Sequence, residues 1–231
     1  MNIISNEKLI KRNAKIGQFT SLGSLVILGV GMYISFTKPD MFNISIAALL
    51  VGFMLSQVGI YYGNRWGRSP RPDELIDQGL KGLTKEYTLY HYSSPVSNLL
   101  VGPAGVWLIM PYHQQGKVIY NGKRWQAKQG GFAQNYMRIF GQENMNRPDL
   151  DAGAEADKLK RYFKKHNLSE NEMPPILAAL VFTSQNAEVQ ADDAPVPTMH
   201  LKQLKPFIRK QAKAAPITKQ EIEAVNKALQ A

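Results

Sequence analysis

The residues that can do chemistry are few and widely spaced along this 231-residue chain. Four histidines, His91, His113, His166 and His200, lie too far apart for two to share a helical turn, so a histidine-bound zinc is not expected. Cysteine is absent, which excludes disulfides, thiolate nucleophiles and thiolate metal ligation. Ser93, Ser94 and Ser97 lack a neighbouring His–acid pair that would turn one into a nucleophile. No GxxxxGK[ST] or GxGxxG run is present to cradle a phosphate. Carboxylates are confined: Asp73, Glu74 and Glu86 precede a stretch from Thr88 to Gly141 that holds no Asp or Glu. Cations cluster instead, at Lys158, Lys160, Arg161, Lys164 and Lys165, and again at Lys202, Lys205, Arg209, Lys210 and Lys213. Runs of this kind grip phosphates or anionic lipid head groups, or simply form a solvated helix face. Tyr87, Tyr90, Tyr92, Trp107, Tyr112, Tyr120 and Trp125 offer rings that stack on bases, although cross-strand packing uses the same rings.

The elements that position these groups begin with two apolar runs. Gly17 to Phe36 is 20 residues without Asp, Glu, Lys or Arg, and Asn43 to Gly63 is a second uncharged run. A helix of about 20 residues at ~1.5 Å each crosses ~30 Å of hydrocarbon, so both runs are long enough to span a membrane. The loop Thr37–Phe42 allows only an antiparallel hairpin, and Gly23, Gly29, Gly31, Ala47, Ala48 and Gly52 would let its helices approach closely. Tyr33, Phe36, Tyr61, Tyr62 and Trp66 lie near the span ends, where aromatic rings prefer the interface. Lys8, Lys11, Arg12 and Lys15 precede the first span and Arg65, Arg68 and Arg71 follow the second, with Lys38 alone in the loop. The excess of cations on both flanks predicts a cell (inner) membrane protein with two spans, its N-terminus and C-terminal domain both cytoplasmic. No small-x-small cleavage site follows the first run, and no ionisable group within the spans marks a transport path. The organisation expected is a basic cytoplasmic N-terminus at 1–16, a transmembrane hairpin at 17–63 acting as anchor, and a stiff proline-containing linker at 64–72.

Residues 64–231 carry 23 basic and 16 acidic side chains. Asp73 can cap a short helix whose Leu75, Ile76, Gly79, Leu80 and Leu83 follow the 3.6 period. Tyr87–Tyr92, Asn98–Val101, Val106–Met110, the strand leading through Val118 and Tyr120 to the Asn121-Gly122 turn, and Lys123–Ala127 read as a meander of about five strands. An amphipathic helix is expected over 150–166, a buried strand over Ile176–Phe182, and short strands at Val189 and Pro195–Met199. Helices follow at Leu201–Gln211 and Thr218–Gln230, the last opening on a Thr218–Glu221 capping box. The fold class expected is therefore α/β, with a central mixed sheet flanked by helices.

Within this domain Asn98-Leu-Leu-Val-Gly-Pro-Ala-Gly-Val-Trp-Leu-Ile-Met-Pro-Tyr-His-Gln-Gln-Gly-Lys-Val118 resembles the core of the nuclease-related domain (NERD) family. In that family an Asp-bearing strand runs through the same Val-Gly-Pro-x-Gly turn to a Glu-x-Lys. The likeness extends from Asp73 to Gln211, leaving 212–231 as a C-terminal helix. It implies a restriction-endonuclease-like fold, in which two carboxylates hold Mg²⁺ on a phosphate and the lysine positions water. Here the aspartate position reads Ser97 and Glu-x-Lys reads Met110-Pro111-Tyr112. Methionine does not bind a hard cation and a phenol carries no ammonium charge. Only Asp73 or Glu74 keeps a carboxylate. The resemblance therefore implies a degenerate site with no catalytic residue, metal or cofactor: a pseudo-nuclease serving as accessory or scaffolding subunit of a membrane complex. Two other readings are a membrane-tethered nucleic-acid binder, and a residual Mg²⁺ nuclease using Asp73, Glu74 or Glu86, with Lys117 or Lys123 as a displaced lysine.

Overall fold

The computed structural model describes residues 1–122, 124–128, 147–169 and 173–230. It divides the chain into two units, Glu7–Arg71 and a domain made of Met1–Asn6 together with Pro72–Ala231.

The first unit is a helical hairpin of α1 (Glu7–Thr37) and α2 (Phe42–Tyr62), joined through a 3₁₀ turn at Pro39–Met41 and followed by a π-helical turn at Gly63–Gly67. Both helices are long and apolar enough to cross a membrane. Their burial is inverted relative to a water-soluble helix pair. Apart from Ile10, the buried residues are small or polar: Asn13, Gly17, Ser24 and Gly31 on α1, and Ser45, Gly52 and Gly59 on α2. Large apolar side chains point outward, Phe19 at 69 % exposure and Met54 at 70 %. A Cβ added to Gly52 would sit 2.7 Å from Leu28 Cγ, and one added to Gly17 would sit 2.9 Å from the Gly63 nitrogen. The Ser45 hydroxyl donates across the seam to the Gly31 carbonyl at 2.8 Å. Of the small residues named above, Gly31 and Gly52 make the close approach, whereas Gly29 faces open space.

The second unit is a three-layer α/β domain. Its main sheet has the order β1-β2-β3-β4-β7-β9, formed by β1 (Asn2–Ser5), β2 (Thr88–His91), β3 (Asn98–Gly102), β4 (Gly105–Tyr112), β7 (Ile176–Phe182) and β9 (Thr198–His200). β2, β3 and β4 run as an antiparallel meander, and β7 and β9 continue parallel to β4. β1 pairs in parallel with β2, from Asn2 opposite Thr88 to Ser5 opposite His91. Residues 1–16 are thus not one basic segment: 2–5 form a strand of the domain and helix α1 starts at Glu7.

The five-strand meander is also corrected. It ends after β4, and β5 (Gly116–Tyr120) with β6 (Trp125–Lys128) joins β8 (Ala187–Gln190) in a separate sheet of order β6-β5-β8. The Asn121-Gly122 turn forms as expected, with Gly122 at φ +79°.

Strand alternation divides the core between the two faces. On one, Leu89, Leu100, Trp107, Ile109, Ala179 and Val181 pack beneath Ile76 and Leu80 of α3 (Pro72–Leu80) and Leu204 and Ile208 of α5 (Leu201–Ala214). On the other, Tyr90, Leu99, Val101, Val106 and Leu108 meet Leu159 and Phe163 of α4 (Pro148–Lys165) and Ile222, Val225 and Leu229 of α6 (Lys219–Gln230). Leu159 and Phe163 are fully buried, each contributing about 1.5–3 kcal/mol of transfer free energy. The C-terminal helix therefore belongs to the domain core, and Tyr90 donates to Asn226 Oδ1 at 2.9 Å. At its start the Thr218 amide and hydroxyl both donate to Glu221 Oε2 at 2.7 Å, while the Glu221 amide donates back to the Thr218 hydroxyl at 3.2 Å. These bonds hold the Glu221 carboxyl below its ordinary pKa. Thr218→Ala is expected to cost about 1 kcal/mol in urea unfolding, the usual price of a lost N-cap.

Candidate functional site

The positions that the resemblance assigns to nuclease chemistry do not form one polar cluster. Asp73 and Glu74 occupy the first turn of α3, Asp73 almost fully buried, where a carboxylate suits the helix N-terminus. α3 lies on the sheet face of Leu89, Leu100 and Ile109. Met110 and Tyr112 project from the opposite face of β4, against Val118 and Trp125 of the small sheet and Leu180 and Phe182 of β7. Tyr112 stacks on Phe182 with ring centroids 5.9 Å apart. β3 begins at Asn98, so beyond Ile109 strand β4 is flanked by β7 alone, and Pro111, which lacks an N–H, is accommodated there. Ser97 precedes β3 and its carbonyl accepts the Tyr92 amide at 2.9 Å. Strand β4 thus ends in an apolar cluster packed against the small sheet. Ser97, Met110, Pro111 and Tyr112 are all half-buried there. Among the described residues no three His, Asp or Glu side chains gather as metal ligands, and Lys123 lies outside them.

Burial in this cluster, with the Asp151 carboxylate a secondary cause, pushes the Tyr112 pKa from 10.0 to about 12. Burial also raises Tyr87 and Tyr90. A raised folded pKa means that the native state holds the proton more tightly than the unfolded chain. The associated stability is complete below pH 10 and is lost as the pH rises towards 12. Stability is expected to fall by roughly 2 kcal/mol over that window, and part of the fall to vanish in Tyr112→Phe, as read by urea midpoints against pH.

A polar arrangement that sequence reasoning missed lies on the α3 face. His91, at 0 % exposure, sits at the end of β2. Its Nδ1 is 2.7 Å from Asn98 Oδ1 on β3 and its Nε2 is 3.0 Å from Asp77 Oδ1 on α3. Asn98 is itself buried and donates to the Ile109 carbonyl at 3.4 Å. Each ring nitrogen thus lies within hydrogen-bond distance of one side-chain oxygen. The imidazole links α3 with β2 and β3, and the His91 backbone carbonyl accepts the Asn6 amide at 2.9 Å, just past the edge strand β1. His91 and its two ring partners come from three different elements, so the arrangement fixes α3 and β3 to the end of β2. The signal available in the sequence was a histidine ending an aromatic strand, with Asp77 on the buried side of an amphipathic helix.

The cationic positions are exposed. On α4, Lys158 lies 3.7 Å from Glu155 and Lys160 lies 3.4 Å from Asp157, while Lys164 and Lys165 occupy the last turn, where the helix dipole favours cations. Arg161 is exposed on the same helix. Exposed pairs of this kind contribute little to stability. On α5, Lys205 donates to the Lys81 carbonyl at 3.0 Å and Arg209 to the Gly82 carbonyl at 2.9 Å. Those two cations therefore cap the end of α3, where Gly82 has φ +88°, and two members of the second basic run have an intramolecular role.

No protein family, no curated protein and no solved structure matches this chain.

Proposed function

We propose that the chain is a membrane-anchored, non-catalytic interaction protein, an accessory or scaffolding subunit of a membrane complex on the cytoplasmic side. The hairpin supports the anchor. A buried seam of Gly, Ser and Asn beneath an exposed surface of Phe, Leu, Val and Met suits helices whose solvent is lipid, and it would be costly in water. The basic flanks of both spans favour cytoplasmic ends. The order helix, three-strand antiparallel meander, helix, parallel strand supports the restriction-endonuclease-like reading of the domain.

The observation that carries the non-catalytic reading is the packing of Met110 and Tyr112 against Val118, Trp125 and Phe182, where a nuclease would need charged groups around Mg²⁺. In this pseudoenzyme reading the domain is retained for its surface. Extraction of the tagged full-length chain from its native membrane in mild detergent tests it. Fixed-ratio recovery with membrane proteins supports an accessory subunit; recovery of the chain without them removes that reading.

The exposed Arg161, Lys164 and Lys165 favour, as a second reading, a tethered nucleic-acid binder. It predicts co-purifying nucleic acid released steeply by salt, because phosphate contacts displace counterions. Mg²⁺-dependent cleavage that is lost on Asp73→Ala with Glu74→Ala would instead establish a residual nuclease.

A further inference from the structure

Helix α1 is a single 31-residue helix, about 46 Å long, which exceeds the ~30 Å hydrocarbon by some ten residues. Its excess lies at the N-terminal end. There Gly17 packs beside Tyr62 and Gly63, at the level where Tyr61, Tyr62 and Trp66 form a ring cluster with centroids 5.1 to 6.0 Å apart. Such an aromatic cluster fixes the depth of the interface. Lys15, Arg12, Lys11 and Lys8 then stand about 3, 8, 9 and 14 Å beyond that level, within or just above a head-group layer roughly 5–8 Å thick.

Their spacing is i, i+3, i+4, i+7, so helical geometry places all four on one stripe, and all four are exposed. Like charges at this spacing repel one another and cost stability unless an anion meets them. Beside the aromatic cluster, the Arg65 guanidinium lies 5.0 Å from the Trp66 ring centroid and donates to the Tyr61 hydroxyl at 3.4 Å. From Glu7 to Gly17 and from Gly63 to Arg71 there are seven cations and one acid, whereas the loop at the other end carries Lys38 balanced by Asp40.

We propose that this stripe, Lys8, Lys11, Arg12 and Lys15, is a binding surface for anionic phospholipid head groups at the base of the hairpin. It rests on the membrane-anchor reading and adds the chemistry of the lipid. The four cations bind as a unit, each adding attraction that decays within a Debye length of the surface. The basic face of α4, where Lys158 and Lys160 pair with carboxylates, is not needed for it.

The test uses the full-length chain in nanodiscs of phosphatidylcholine alone, or of two parts phosphatidylcholine to one part phosphatidylglycerol, with retained lipid read by native mass spectrometry. Wild type should retain phosphatidylglycerol well above its share of the mixture. A variant with Lys8, Lys11, Arg12 and Lys15 all replaced by Gln should lose that enrichment by about tenfold or more. Lys8→Arg with Lys11→Arg and Lys15→Arg should keep it. Equal retention in wild type and the Gln variant, or no preference in wild type, overturns the proposal. Alkaline carbonate washing separates this from failure of the anchor: a wild-type chain that stays in the pellet yet shows no lipid preference refutes the stripe alone, and one that is released refutes both.

Discussion

A chain carrying Met110→Glu and Tyr112→Lys is expected to lose roughly 3–5 kcal/mol of stability and to gain no phosphodiester cleavage. The two substitutions restore the residue types of a Glu-x-Lys pair, but they place both charges among Val118, Trp125, Leu180 and Phe182. They also remove the Tyr112–Phe182 stack. A glutamate and a lysine two apart on one strand share a face and attract, yet that attraction does not offset their desolvation when no further groups complete the site. Tyr112→Phe keeps the ring and should cost under about 1 kcal/mol at neutral pH. Urea unfolding of the full-length proteins in detergent, followed by tryptophan emission, measures both. If the doubly charged variant proved as stable as wild type, the cluster would be open to water and the non-catalytic reading would lose its main support.

His91→Leu is the second large effect, expected at about 2–4 kcal/mol. Leucine fills most of the volume but leaves the Asn98 side chain buried without its strongest partner, a penalty of about 1–3 kcal/mol. Asp77 is 30 % exposed at its side chain and can return to water, so Asp77→Asn should be milder, about 0.5–1.5 kcal/mol. The double variant His91→Leu with Asn98→Leu separates packing from hydrogen bonding. Removing both polar partners should recover part of the loss, and the coupling measured by the cycle should exceed about 1 kcal/mol. Simple additivity of the two single changes would remove the network from the account of the fold.

Local chemistry made much of this architecture legible from residues alone. The apolar run Ile176–Phe182 is a strand over the same residues, with its last four fully buried. The Asn121-Gly122 turn and the Thr218–Glu221 box act through neighbours one to three residues away, so their residue types suffice to place them. What escaped was non-local. Asn2-Ile-Ile-Ser5 is too short to show a period, and it becomes a strand only because β2 offers it an edge. Nothing at Gly116–Tyr120 indicates that its parallel partner is Ala187–Gln190 rather than a neighbour in the meander. The site followed the same division. That Met110 and Tyr112 carry no charge could be read directly, but the small sheet packed against them is a tertiary event. The His91 network joins residues 77, 91 and 98, none of them in a spacing that marks a metal or a triad.

The pairing of Asn2–Ser5 with Thr88–His91 has a consequence for how the protein is made. Everything between those two strands includes the entire helical hairpin, so the hairpin is an insertion into one sheet and not a tail attached to a finished domain. The domain cannot close while the ribosome is still delivering α1 and α2, because the partner of its first strand has not yet been translated. In the proposed membrane-anchor reading, a chain whose first residues were carried across the bilayer would forfeit β1, and the Tyr87 and His91 carbonyls that accept the Asn2 and Asn6 amides would go unmatched. In that reading the sheet is completed only when residues 2–5 and 88–91 lie on the same side of the bilayer. A chain threaded otherwise would, in that reading, carry an exposed β2 edge, the kind of surface that aggregates and is cleared by quality control.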